Sequence, residues 1–229
     1  MYKTSVDHRK QRIKRFQTRW PAWLGLIAVS LLYEALPTSL YWGPRGLMIG
    51  LVAALIVLMI IMYWSDNSRI ARILGLSVNI LITAYMVISV NRIVIAVLQG
   101  NIAPAHLLLS SMVLWGTNIF VFALWYWNLD AGGPLKRELT PGHKISAFLF
   151  PQTQLCFYQN DNLPKTLVNW EPGFIDYLFL AFNTSTAFSP TDTAVITRWA
   201  KIMFMLQSLI SLTIVIMLAA RAINILSPG

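Results

Sequence analysis

The sequence is poor in cysteine, histidine and charged residues. Cys156 is the only cysteine among 229 residues, so the chain cannot form an internal disulfide bond. Its three histidines are far apart, and no cysteine or histidine cluster has the spacing of metal ligands. The sequence contains no glycine-rich phosphate loop and no hydrolase or kinase signature. We therefore expect a protein that is not an enzyme and that has neither a metal site nor a cofactor.

The shortage of charge is matched by long apolar runs. Charged residues make up 12% of the chain and hydrophobic residues 56%, whereas a soluble domain carries about 25% charged residues. Runs of about 20 apolar residues predict membrane-spanning helices. The sequence thus predicts an all-α integral membrane protein, with spans at Pro21–Tyr41, Leu47–Trp64, Ile73–Leu98, His106–Trp127 and Ala200–Leu226.

The net charge of +9 is concentrated at the start of the chain. Residues 1–20 hold seven of the 18 basic residues, namely Lys3, Arg9, Lys10, Arg12, Lys14, Arg15 and Arg19. Such a cluster before the first span favours a cytoplasmic N-terminus. The segment is also predicted to lie on anionic lipid. Nucleic acid is not an expected partner.

The chain divides by composition into four parts. The basic segment 1–20 precedes a four-helix region at 21–127, a loop at 128–173 and a C-terminal part at 174–229. The loop begins with a turn sequence, Asp130–Pro134, and later carries aromatic and proline residues. We expect a structured connector, and the alternative is a gating or ligand-binding cap.

Two opposite charges are predicted at similar depth inside the membrane. Glu34 lies seven residues before the end of the first predicted span, and Arg92 six residues before the end of the third. At a rise of about 1.5 Å per residue, both would be ~10 Å below the outer boundary. Pairing would reduce the cost of burying them. We predict an interhelical charge pair, and a proton or substrate relay is the functional alternative.

The segment 174–189 is too short for an ordinary span. Its 16 residues would form a helix of ~24 Å, whereas the hydrocarbon core is ~30 Å thick. Two arrangements fit. A broken span reaching Ile196 would give six spans, and a re-entrant helix that turns back would give five. Hydroxyl and acidic side chains follow the apolar part of this segment, namely Thr184, Thr186, Ser189, Thr191 and Asp192.

From Asp176 to Lys201 the chain resembles the pore-loop region of potassium channels of the two-transmembrane type. The resemblance aligns Asp176 with the acid that opens the pore helix, Ala187–Thr191 with the filter and Asp192 with the acid after it. With Phe148–Gln152 and Trp170–Gly173, the chain also resembles a family of uncharacterised bacterial membrane proteins. The resemblance implies a location in the bacterial inner membrane.

The segment that aligns with the filter, Ala187–Thr191, lacks the glycines of the potassium-channel pattern. Ser189 and Thr191 stand at the glycine positions, and no glycine occurs between Phe174 and Pro228. The resemblance therefore implies a cation-permeable pore without a normal potassium-selective filter, with a monovalent cation as the permeant species. It also implies a homo-oligomer, a tetramer in the channel pattern.

Two other functions remain as alternatives. One is a non-conducting membrane scaffold or accessory subunit, in which the hydroxyl-rich segment packs against the final helix. Small and hydroxyl residues on the two partners, such as Ser185, Ser208 and Ser211, suit this close contact. The other is a secondary transporter that uses Glu34 and Arg92, although the two halves show no inverted repeat.

Overall fold

The computed structural model describes residues 19–37, 40–41, 43–65, 68–99, 103–139, 146–158, 170–186 and 192–226. Most of these residues are helical. The helices are α1 (residues 19–34), α2 (Leu47–Trp64), α3 (Ser68–Leu98), α4 (Pro104–Leu129), α5 (Pro134–Leu139), α6 (Pro151–Tyr158), α7 (Phe174–Thr186) and α8 (Arg198–Leu226). A 3₁₀ turn at Asp130–Gly132 follows α4, and two short strands, β1 (Phe148–Leu149) and β2 (Ala194–Val195), form an antiparallel pair.

Among the residues that the structure describes, three helices are long and apolar enough to cross a membrane. These segments are Arg69–Leu98, Ala105–Gly132 and Arg198–Ala219, and a shorter apolar helix covers Leu47–Met62. The prediction of a mainly helical chain with membrane-compatible helices is confirmed. The predicted span Leu47–Trp64 coincides with α2.

The first predicted span is too long at its C-terminal end. Helix α1 ends at residue 34 instead of continuing to Tyr41. Pro37 supplies no N–H to continue the helix, and the chain instead turns there, with the N–H groups of Leu40 and Tyr41 donating to the Pro37 carbonyl. Glu34 is therefore the last residue of a helix, whereas the prediction placed it seven residues before the end of one.

Helix α4 is the centre of the bundle. It packs mainly against α7 and α8, and also against α3, which in turn contacts α2. In the 18-residue apolar stretch of α4, 67% of the residues are buried, against 17% in the corresponding stretch of α8. Gly25 permits α1 to approach α7, because a Cβ atom there would lie 2.8 Å from the Phe174 ring. Because few residues in the apolar stretch of α8 are buried, much of the surface of α8 is not covered by the other helices.

The contacts of α7 and α8 define two ends of the bundle. The first turns of α7 meet the C-terminal end of α4, where the Tyr177 hydroxyl reaches Asp130, and the last turn of α7 meets the middle of α4 at Trp115. We call the end of the bundle that contains Asp130 and the C-terminal end of α4 the Asp130 end. Helix α8 runs parallel to α7, because Gln207 bonds to Ala181 and Ser211 bonds to Ser185.

The chain returns to the Asp130 end after α7. Val195 in β2 pairs with Phe148 in β1, and the Ile196 N–H donates to the Ala147 carbonyl at 2.8 Å. Ala147 is itself bonded to Asp130. Ile196 therefore lies at the same end of α4 as Phe174. This geometry differs from a broken span that continues through the bundle to Ile196, and it corresponds to the alternative in which the chain turns back.

Candidate functional site

A cluster of neutral polar side chains lies in the contact between α4, α7 and α8. We call it the Gln207 cluster, and it consists of Asn118, Tyr126, Ser185, Gln207 and Ser211. Gln207 is fully buried, with 0% of its surface exposed. Its Nε2 donates to the Ala181 carbonyl and to Ser185 Oγ, both at 2.7 Å, and its Oε1 accepts from the Tyr126 hydroxyl at 2.5 Å. One amide thus joins three helices.

The last turn of α7 is held by the remaining members of the cluster. Ser211 Oγ donates to the Ser185 carbonyl at 2.5 Å, and the Trp115 indole approaches the same oxygen at 3.5 Å. Asn118 Nδ2 lies 3.4 Å from Ser185 Oγ and 3.3 Å from the Gln207 carbonyl. In the part of the chain that the structure covers, buried Asn118 Oδ1 has no hydrogen-bond partner. A bridging water or another polar group would satisfy it.

Gln207 is the residue that the sequence reasoning missed. A signal for it was present, because Gln207 follows the apolar run Ile202–Leu206 in a helix suited to a membrane. An amide inside a membrane needs a protein partner or water. Ser211 and Ser208 were predicted to pack on this helix contact. The structure places Ser211 in the cluster and Ser208 Oγ 3.5 Å from the Thr184 carbonyl.

A second buried cluster is built around a carboxylate at the Asp130 end. We call it the Asp130 cluster, and it consists of Asp130, Arg137, Ser146, Ala147 and Tyr177. The buried Asp130 carboxylate accepts hydrogen bonds from the Ser146 hydroxyl, the Ala147 N–H and the Tyr177 hydroxyl, each at 2.6 Å. Arg137 bonds to the carbonyls of Trp127 and Asp130 at 3.0 and 2.8 Å. Its guanidinium also lies 5.3 Å from the centroid of the Tyr177 ring.

The turn after α4 directs these groups towards each other. Ala131 has φ 53°, and Gly132 and Gly133 have φ 80° and 93°. A Cβ atom on Gly133 would lie 2.8 Å from the Asn128 carbonyl oxygen, so only glycine fits. The turn sequence was predicted, but its association with a buried carboxylate was not.

Aromatic rings fill the space between the two clusters. The Phe148 ring is the hub, with centroid distances of 5.2 to 6.5 Å to its neighbours Tyr126, Phe150, Tyr177, Trp199 and Phe204. Trp170 packs on Phe150 at 5.7 Å. The loop aromatics therefore pack on the helices. They connect Tyr126 of the Gln207 cluster with Tyr177 of the Asp130 cluster.

The predicted pore residues are only partly brought together. Buried Thr184 donates to the Leu180 carbonyl at 2.8 Å, and Thr186 donates to the Asn183 carbonyl at 3.0 Å, so both hydroxyls bond within α7. Asp192 is exposed and lies two residues before β2. Ser189 and Thr191 lie outside the described residues. The structure thus places Thr184 and Thr186 in the last turns of α7 and Asp192 just before β2.

Glu34 and Arg92 meet at one residue, Tyr41. Glu34 Oε1 accepts from the Tyr41 hydroxyl at 2.5 Å and from the Gly46 N–H at 2.8 Å. Arg92 Nη1 donates to the Tyr41 carbonyl at 2.8 Å. Within the described ranges, the two charges are thus linked through Tyr41 and not by a direct ion pair. The sequence placed them near each other, but it did not show this connecting residue.

Asp176 lies in the first turn of α7 and caps the N-terminal end of this helix with its carboxylate. Its Oδ2 accepts from the Gly173 N–H at 2.7 Å. Burial raises the pKa of the Asp176 carboxyl, and the bond from Gly173 opposes this change. An acid at this position complements the helix dipole. The carboxylate therefore has a local structural role.

Among the described residues, no group of three or more histidine, cysteine, aspartate or glutamate side chains could hold a metal ion. Comparison with protein-family models, with curated proteins and with solved structures finds no match to this chain. The function must therefore be argued from the geometry of the clusters and helices.

Proposed function

We propose that the chain is an integral membrane protein with five spans and one re-entrant helix. The spans would be α1, α2, α3, α4 and α8, and α7 would enter from the Asp130 end. As a helix of 13 residues, α7 is about 20 Å long, which is too short for a hydrocarbon core of about 30 Å. In this arrangement the basic N-terminus and the Asp130 end face the cytoplasm, by the positive-inside rule. The proposed membrane is the bacterial inner membrane.

Within that membrane, we propose a cation-permeable pore formed by several copies of the chain. The observation that carries this proposal is the return of the chain to the Asp130 end after α7 has reached the middle of α4. In a membrane, a chain that turns back at such a depth is tolerated only where protein buries it or water surrounds it. Neighbouring copies around a shared axis would provide both.

The proposed path is lined by Thr184, Thr186, Ser189, Thr191 and Asp192. Hydroxyl and carbonyl oxygens would replace part of the hydration shell of a monovalent cation. A ring of exposed Asp192 carboxylates would attract cations at the cytoplasmic mouth. Large exposed apolar side chains on α7 and α8, such as Phe179, Phe182 and Leu209, provide surface for contact with neighbouring copies or lipid.

A flux assay with a charge-removing variant tests the pore. We expect Asp192→Asn to lower cation flux into liposomes about two- to tenfold, since it removes one carboxylate per copy from the mouth. Glu171→Gln is the matched control, because Glu171 is also an exposed carboxylate near the start of α7 but precedes the helix. Equal flux in the wild type and the Asp192 variant would remove Asp192 from the mechanism. A stable monomer in native mass spectrometry would overturn the shared pore.

A non-conducting scaffold or accessory subunit is the second candidate. It is favoured by one observation: the hydroxyls of Thr184 and Ser185 are already bonded within the protein. In this case the Gln207 cluster would only hold α7 against α4 and α8. Folded, oligomeric protein that gives no flux above that of empty liposomes would favour this function over the pore.

A further inference from the structure

A narrow crevice lies at the Asp130 end, between residues of α1, α2, α3 and α4. It has a volume of about 40 Å³. A buried water needs roughly 10–15 Å³ of such space, so the crevice accommodates about three waters or a small polar group. Its walls come from the first turns of α1 and α3, the ends of α2 and α4, and the turn at Gly132–Pro134. The side chains most relevant to binding are Arg72, Asn79 and Trp127.

Two residues that line this crevice each carry a buried donor atom without a partner. Asn79 is 2% exposed and Trp127 is 6% exposed. Neither Asn79 Nδ2 nor Trp127 Nε1 has a hydrogen-bond partner among the residues that the structure places. A buried N–H that is left unpaired destabilises the folded chain by about 1–3 kcal/mol. Both groups would gain from an oxygen that enters the crevice.

The chemistry of the walls selects an anion. The indole N–H and the guanidinium are donors only. No aspartate or glutamate is among the lining residues. The nearby Asp130 carboxylate already accepts three hydrogen bonds and is fully buried. Arg72 is exposed at the crevice, and a planar guanidinium pairs well with phosphate oxygens.

We propose that this crevice binds a phosphate group, with Arg72 pairing to it at the mouth and with Asn79 and Trp127 donating to an oxygen that reaches inside. A lipid headgroup is the source that the position favours, because the crevice lies between helices at the end of the bundle where Arg69, Arg72 and Lys136 are exposed. Free phosphate has the same chemistry. Because the two donor atoms are covered in this structure, binding includes a small separation of α3 and α4. This site is independent of the proposed pore.

The test uses the full, delipidated chain in detergent and measures binding of phosphatidylglycerol by native mass spectrometry. We expect Arg72→Gln to weaken binding about tenfold, as for the loss of one charge-assisted hydrogen-bonded pair. Trp127→Phe and Asn79→Leu keep side-chain bulk but remove the inner donors, and we expect each to weaken binding about fivefold. The matched control is Arg69→Gln, because Arg69 is exposed on the same helix but does not line the crevice.

Each outcome decides the proposal. Equal weakening by Arg69→Gln and Arg72→Gln would show only general attraction to a basic surface and would overturn it. Unchanged binding in both Trp127→Phe and Asn79→Leu would also overturn it, because the crevice would not be used. Inorganic phosphate added against chloride at equal ionic strength distinguishes the sources. A rise in Tm of the wild type that disappears in Arg72→Gln assigns free phosphate, and selective binding of the lipid alone assigns the headgroup.

Discussion

The Asp130 cluster and the Gln207 cluster hold opposite ends of the same short helix. Tyr177 and Ser185 are eight residues apart on α7, which corresponds to about 12 Å along the helix. At the first position the acceptor is a carboxylate with three donors, one of them a backbone N–H from the loop. At the second position every side chain is neutral, and helix carbonyls provide several of the acceptors.

In the proposed membrane arrangement, this difference follows from the cost of burying a charge, which is highest in the middle of the bilayer. An ionised side chain in the middle of the hydrocarbon core is costly, whereas an uncharged amide is much less so. The carboxylate lies where Ser146 and Ala147, between α5 and β1, can donate to it. The amide lies where only neighbouring helices are within reach. The polar cluster at the Asp130 end thus contains charged side chains, whereas the polar cluster inside the bundle contains only neutral ones.

The largest effect is expected from removing the charge of the Asp130 cluster. Asp130→Asn replaces one accepting oxygen by an N–H₂ group that faces donors. We expect this change to lower the free energy of unfolding by about 3–5 kcal/mol, since it leaves buried donors unpaired. Unfolding in mixed micelles, followed by circular dichroism, measures it. Asp192→Asn is the control, and as an exposed substitution it should stay within about 0.5 kcal/mol of the wild type. A similar loss in both variants would contradict the role of the cluster.

An intermediate effect is expected at the Gln207 cluster. Gln207→Leu removes the amide that joins three helices, and we expect a loss of about 1–2 kcal/mol, in the range of polar contacts between membrane helices. A double-mutant cycle with Tyr126→Phe isolates the bond between the two side chains, with an expected coupling of about 0.6–1.7 kcal/mol. Additive losses would mean that the bond at 2.5 Å contributes nothing to stability.

The smallest effect is expected at Glu34. Glu34→Gln keeps an oxygen that can accept from the Tyr41 hydroxyl and the Gly46 N–H, so we expect a loss below about 1 kcal/mol. Glu34→Leu removes that oxygen and should cost more. A loss for Glu34→Gln as large as that for Asp130→Asn would show that charge, and not the hydrogen bonds, matters here. Lost transport by the stable Glu34→Gln protein would favour a transporter over the pore.

The sequence predicted the long helices well because their signal is local. Apolar runs gave α2 at its observed bounds, and the predicted spans Ile73–Leu98 and His106–Trp127 lie within α3 and α4. The end of α1 was predicted too late, because the apolar run continues beyond Pro37 although the helix does not. Hydropathy alone does not register the missing N–H of one proline.

The candidate site was much less predictable. Glu34 and Arg92 were paired from their similar distance to the ends of their spans, but Tyr41 joins them through a loop whose course no helical spacing determines. Gln207 was overlooked among apolar neighbours, although it is the residue that connects α4, α7 and α8. Polar groups this far apart in sequence meet only after the helices have packed.

Composition alone determined that this chain forms apolar helices suited to a membrane, with its charge concentrated at the N-terminus, because solvation of each segment depends on its own side chains. Only the tertiary structure decided that α7 ends at the middle of α4 and that the chain then returns to the Asp130 end. That geometry depends on hydrogen bonds between distant residues, such as Tyr177 to Asp130 and Ile196 to Ala147. Such bonds are selected by the three-dimensional positions of donors and acceptors, and no local pattern encodes them.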